Sequence, residues 1–136
     1  MGQEGLPPGY SVEDLVAAAQ RSGRFAGIEA VEVAAEPRLV DLHLEALSGH
    51  EYLVMLREDL GEARVLYEDY VFDGVPAHRV LDFVDLVARG EVDLSPTRFG
   101  RQLVLRVSLP EGTWVDRRRF ADDLSDWEKS VIGRTA

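Results

Sequence analysis

From Ile28 onward the apolar residues of this chain stop recurring every third or fourth position and begin to recur every second one. Alternation of that period marks strands with one face in a core and one in water, which limits the chain to folds rich in antiparallel sheet. The first such run, near residues 28–35, is broken by Glu36-Pro37. Val40, Leu42, Leu44 and Ala46 then line one face of a second strand, with Asp41, His43 and Glu45 on the other. Ser48-Gly49-His50 reads as a three-residue hairpin connection, after which Glu51 to Glu58 returns antiparallel. That loop predicts Asp41 opposite Arg57, and Leu42, Leu44 and Ala46 opposite Leu56, Val54 and Tyr52. A slip of one residue would turn every side chain to the wrong face. A fourth strand is expected over residues 63–72, ending at Asp73-Gly74.

Helical spacing appears on either side of this run. Ser11-Val12-Glu13-Asp14 resembles a capping box with Asp in place of Glu or Gln, and Val12, Leu15, Val16 and Ala19 form a stripe that Gly23 stops. Pro76 fits the first position of a second helix, whose stripe Val80, Leu81, Val84, Val87 and Ala88 ends at Gly90. Residues 91–101, with Ser95-Pro96 and Gly100, read as irregular. Gln102 to Leu109 is the clearest strand, and Pro110-Glu111-Gly112 turns it towards Thr113-Trp114-Val115. Phe120, Leu124, Trp127 and Val131 lie at i, i+4, i+7 and i+11, so a third helix is expected from Arg117 to Ile132, stopped by Gly133. The expected fold is α+β, an antiparallel sheet of about six strands with helices packed on it in the order α-ββββ-α-ββ-α. Residues 1–10, with three Gly and two Pro, read as a flexible N-terminal tail, and residues 11–136 as a single domain.

At 136 residues and 46% hydrophobic composition, one packed domain needs neither disulfide nor metal to fold. The absence of cysteine excludes thiolate zinc sites, thiol nucleophiles and redox pairs. No apolar run reaches the length of a membrane span and the first residues lack a signal-peptide pattern, so a cytoplasmic location is expected. Fourteen of the fifteen basic residues are Arg, and Asn is absent. That skew fits a bacterium of high G+C content.

No phosphate-binding glycine loop, nucleophile elbow, zinc-protease motif or calcium loop is present, and no cofactor is called for. Asp41, His43 and Glu45 offer two carboxylates and an imidazole, but the outer pair stands about 13 Å apart along a strand, too far for one metal. His50 and His78 lie on other elements. Asp122-Asp123-Leu124-Ser125-Asp126 resembles the DDxxD pattern of isoprenoid synthases, large all-helical enzymes unlike this chain elsewhere. A solvated helix edge accounts for it. No residue is therefore assigned a catalytic, cofactor-binding or metal-ligating role.

Charge is the stronger signal. The net charge is −10, yet residues 98–121 hold six bases and two acids, whereas residues 1–97 hold 19 acids and seven bases. Arg98, Arg101, Arg106, Arg117, Arg118 and Arg119 form a candidate basic patch for phosphate or carboxylate, or else pair with acids of neighbouring strands. The acidic field disfavours nucleic acid. Tyr67, Glu68, Asp69, Tyr70 and Asp73 mix rings with carboxylates and, with Trp114, are the candidate contacts for a partner.

These features favour a small acidic, non-enzymatic domain that engages a protein partner, itself basic, by electrostatic steering and aromatic anchors. Immunity proteins that neutralise basic toxins and chaperones for secreted proteins share its size, charge and order of elements. The alternative is a small enzyme or ligand-binding domain whose pocket between sheet and helices uses Asp41, His43, Glu45 or the Arg98–Arg119 segment. Self-association into a homodimer through an edge strand or the last helix is a third arrangement.

Overall fold

A computed structural model describes residues 10–120 and 123–135, the last three by backbone alone. The order of elements is α1 (Val12–Ser22), β1 (Phe25–Ala35), β2 (Arg38–Ala46), β3 (Glu51–Arg57), β4 (Glu62–Tyr67), β5 (Tyr70–Pro76), a 3-10 turn Ala77–Arg79, α2 (Val80–Ala88), β6 (Asp93–Pro96), β7 (Gln102–Leu109), β8 (Gly112–Arg119) and α3 (Asp126–Thr135). The α+β class agrees with expectation, but the described residues form eight strands rather than six. They make two antiparallel sheets, β1-β2-β3-β4-β5 and β6-β7-β8. No helix among the described residues is long and apolar enough to cross a membrane. Residues 1–9 of the expected tail lie outside the described residues, and Tyr10 packs its ring edge-on against His78 at 6.5 Å.

Helix α1 starts as its cap predicts. The Asp14 N–H donates to Ser11 Oγ at 3.1 Å and the Ser11 N–H to Asp14 Oδ2 at 3.0 Å. Such a cap stabilises a helix by about 1 kcal/mol.

The β2–β3 hairpin keeps the expected faces in a register two residues away. Leu42 pairs with Val54, Leu44 with Tyr52 and Leu39 with Arg57, so Asp41 faces Met55. The loop is Leu47-Ser48-Gly49, closed by the Ala46 N–H to His50 O and the Gly49 N–H to Ala46 O. Gly49 at φ 94° occupies its last position. A three-residue hairpin loop needs a left-handed residue there, and the alternative would have forced His50 into that conformation. Because the shift is even, the apolar side chains stay inside.

Three further corrections concern strands. The single fourth strand is two, folded back at Glu68-Asp69 with Tyr67 opposite Tyr70. Glu68 takes φ 52°, which costs a residue other than glycine about 1 kcal/mol. Its carboxylate accepts from Ser125 Oγ at 2.8 Å, tying the turn to the start of α3. Part of the stretch read as irregular is β6, paired with β7. Finally, Arg117–Arg119 are strand, not helix: they pair with Val104, Leu103 and Gln102 of β7.

Helix α3 therefore begins only at Asp126. Ser125 and Glu128 make a full capping box, Glu128 N–H to Ser125 Oγ at 3.1 Å and Ser125 N–H to Glu128 Oε1 at 2.9 Å. The helix runs through Gly133 to Thr135, so Gly133 does not stop it.

Helices and the inner faces of both sheets share one core. Phe72, Phe83 and Trp114 link β5, α2 and β8 edge-on, with ring centroids 5.1 and 6.1 Å apart. Tyr52, Tyr67 and Trp127 link β3, β4 and α3, and the indole N–H donates to Val87 O at the end of α2. The hydroxyls of Tyr52 and Tyr67 are buried with no partner among the described residues.

Candidate functional site

Strand alternation sends every second residue of β1–β5 to the outer face, and the register arranges them in rows across the sheet. One row runs Glu29, His43, Leu53, Leu66, Val71. The next runs Val31, Asp41, Met55, Arg64, where Arg64 Nε bonds Asp73 at 2.5 Å. A third joins Gly27, Glu45 and Glu51, and a fourth Leu39, Arg57 and Glu62. Leu53, Leu66, Val71 and Met55 thus form an apolar band that no helix among the described residues covers, Val31 lies beyond Asp41, and Val31, Met55 and Val71 are among the exposed large apolar residues. Carboxylates border it.

One pair of these acids works against the sheet. Glu45 stands directly opposite Glu51, and like charges so paired destabilise a sheet. Glu29, Glu45, Glu51 and Glu68 line one open depression of about 440 Å³ with His43, and no Arg or Lys is among its lining residues. Burial raises the Glu68 carboxyl above the ordinary range, the Ser125 hydroxyl opposes that shift, and Glu128 adds to it. Arg57 and Arg64, the bases on this face, are held by Asp59 and Asp73.

Asp41, His43 and Glu45 do alternate along the outer face of β2, pointing in parallel rather than converging. Among the described residues no group of three His, Asp or Glu has a metal-holding geometry. His50 lies under the β2–β3 loop against Tyr67, and His78 beside Glu111. Of the DDxxD segment, Asp122 lies outside the described residues, Asp123 borders Arg118 at 3.5 Å and Asp126 opens α3.

The proposed aromatic contacts divide differently. Tyr67 and Tyr70 are buried, 4% and 0% exposed, so these rings serve the core and not a contact surface. Trp114 is half-buried against Phe83. Glu68 and Asp69 are exposed at the β4–β5 turn and Asp73 is exposed within β5, which continues through the expected stop at Asp73-Gly74 to Pro76. The large side chains on the outer face, Leu53, Met55, Leu66 and Val71, escaped sequence reading. Their signal was present as apolar residues at the outward positions of alternating strands, and only the cross-strand register brings them together.

The basic segment also divides. Arg118 turns inward, 11% exposed in its side chain, and its guanidinium bonds Glu128 through Nε at 2.7 Å and Nη2 at 2.5 Å, with further bonds to the Arg119 and Asp123 carbonyls. Glu128, 1% exposed, also accepts from the Tyr70 hydroxyl at 2.5 Å. Burial alone would raise its carboxyl, but Arg118, Tyr70 and the Ser125 N–H outweigh it and hold the group below the usual range. Asp116, also on the inward face of β8, accepts from the Val71 N–H on the free edge of β5 at 2.7 Å. Trp114, Asp116 and Arg118 thereby fasten β8 to α2, β5 and α3. Arg117 and Arg119 point outward, with Arg106 beside them on β7 at 3.8 Å from Asp93. Arg98 sits 5.9 Å from the centroid of the Phe99 ring.

No protein-family model matches the chain, and comparisons with curated proteins and with solved structures found no match.

Proposed function

We propose that the protein is a non-enzymatic binding domain that engages a basic protein through the outer face of its five-stranded sheet. The observation that carries this reading is the Glu45–Glu51 opposition beside an exposed apolar band. A partner with Lys or Arg at that depression would offset a repulsion the free protein bears, while its apolar residues would cover Leu53, Met55, Leu66 and Val71. Charge would set the rate of encounter, and apolar burial the lifetime. This replaces Tyr67 and Tyr70 with an aliphatic band as the anchor but keeps electrostatic steering.

An inhibitor of a basic toxin and a chaperone of a basic secreted protein both need such a face. Blocking of the partner's activity marks the former, and release of an active partner the latter. The small-enzyme alternative gains nothing from the outer face, where Asp41, His43 and Glu45 share no focus.

The test is cross-linking of the full chain in cells of its source, followed by kinetics with the partner so identified. Cross-links should fall on β1–β4, and Glu29→Lys/Glu45→Lys/Glu51→Lys should slow association by about tenfold or more. Association should also slow steeply with added salt. A salt-independent rate, or cross-links confined to the three-stranded sheet, would refute the proposal.

A further inference from the structure

Around the turn between β6 and β7, three further observations converge. The first is a pattern of pairing. Arg24, Arg38, Arg57, Arg64, Arg79, Arg89, Arg106 and Arg118 each stand within reach of a carboxylate. Arg21, Arg98, Arg101, Arg117 and Arg119 have no carboxylate within ion-pair distance among the described residues, and of these Arg101 and Arg119 border one groove. The second is Phe99, 81% exposed on the turn between β6 and β7. Gly100 at φ 70° and its N–H bond to Thr97 O at 2.8 Å hold that turn so that the ring is presented to solvent. The third is an open groove of about 750 Å³ lined by Thr97, Phe99, Arg101, Gln102, Arg119 and Phe120. Asp123 also borders it and lies beside Arg118.

Both arginines border the groove from one end of the three-stranded sheet. Gln102 pairs with Arg119, and the Phe120 N–H donates to Arg101 O at 3.2 Å, so both arginines sit on the last rungs of the β7–β8 ladder. Guanidinium groups are planar five-donor forks that match carboxylates two bonds at a time, and Arg and aromatic residues dominate binding hot spots. An open groove would leave much of a small molecule in water. A chain segment fits better, laying apolar side chains on Phe99 and Phe120 and carboxylates on Arg101 and Arg119. The net charge of −10 weighs against a densely charged polyanion such as RNA, and less against a peptide with few, spaced carboxylates.

We propose that the groove formed by the Thr97–Gln102 turn and Arg119–Phe120 binds an acidic linear peptide segment of a second partner protein.

The experiment is an NMR titration of the 15N-labelled full chain with an octapeptide of alternating Glu and Phe. Saturable shifts should cluster at residues 97–102 and 119–120 and leave β1–β3 unmoved. Arg101→Glu/Arg119→Glu should weaken binding about tenfold or more, and Phe99→Ser should weaken it without changing charge. Arg117→Glu, the same reversal outside the groove, should change affinity less than about twofold. Unaltered resonances of the five-stranded sheet would show that each variant is folded. Shifts that do not saturate, shifts scattered over the surface, or tighter binding of an octauridylate would overturn the proposal.

Discussion

The outer faces of the two sheets obey the same alternation and carry opposite charge. Across β1–β5 the outward positions hold Glu29, Asp41, Glu45, Glu51 and Glu62 around an aliphatic band, and the two arginines there are neutralised by neighbouring acids. Across β6–β8 they hold Arg106, Arg117 and Arg119 against Asp93. Both sheets bury aliphatic and aromatic inner faces in a common core, so the difference lies in their outward residues. A net charge of −10 is thus the sum of two unlike surfaces. Formal charge per se describes neither.

The contrast depends on β8 keeping its inward and outward residues apart, and Glu128 enforces that. Glu128→Ala should be the most damaging single change, destabilising the fold by about 3–5 kcal/mol because Arg118 is left as a buried charge without its partner. Urea unfolding would measure it. Pairing the change with Arg118→Met should recover much of the loss, since an apolar pair needs no compensation.

The same group makes stability fall in acid. The folded Glu128 carboxyl lies below the ordinary glutamate value, so its contribution is present above that value and is lost as pH falls through the lower, folded one. Unfolding free energy should drop below pH 4.5 in the parent, and Glu128→Gln should lose this part of the drop while being less stable at neutral pH.

Tyr67→Phe tests the inner side of the acidic sheet. The hydroxyl it removes is buried without a partner, and its loss should stabilise by about 1 kcal/mol in thermal or urea unfolding. The smallest expected effect is the most discriminating. Glu45→Lys replaces a like-charge opposition with an attractive pair and should stabilise by about 0.2–1 kcal/mol, while weakening capture of the basic partner. Gain of stability with loss of binding would separate the two roles of that residue; loss of both would place Glu45 in the framework.

What the sequence disclosed follows from where the determining interactions lie. The Ser11 cap, the Gly23 and Gly90 stops and the inner faces of β2, β3 and β7 rest on local spacing and were legible. The β4–β5 turn was not, because Glu68-Asp69 contains no glycine and is tied instead to Ser125, 57 residues away. Arg117–Arg119 resembled the first turn of a helix because they directly precede the stripe from Phe120 to Val131, yet pairing with β7 overrides it. The pattern Ser125-Asp126-Trp127-Glu128 was a local signal for the true start and was outweighed by that stripe. Of the proposed binding surface, the acidic residues of β2 were legible and the aliphatic band was not. Alternation names the outward residues of each strand, but only the cross-strand register shows that Leu53, Leu66 and Val71 adjoin.

Glu128 belongs to two systems at once: within α3 it closes the cap on Ser125, and across the molecule it receives Arg118 and Tyr70. Neither β8 nor α3 can therefore leave without uncovering the other's charge. Amide protons of residues 113–119 and 128–132 should exchange with solvent at a common opening free energy, as one cooperative unit, whereas those of the exposed Arg98–Gly100 turn exchange ahead of them.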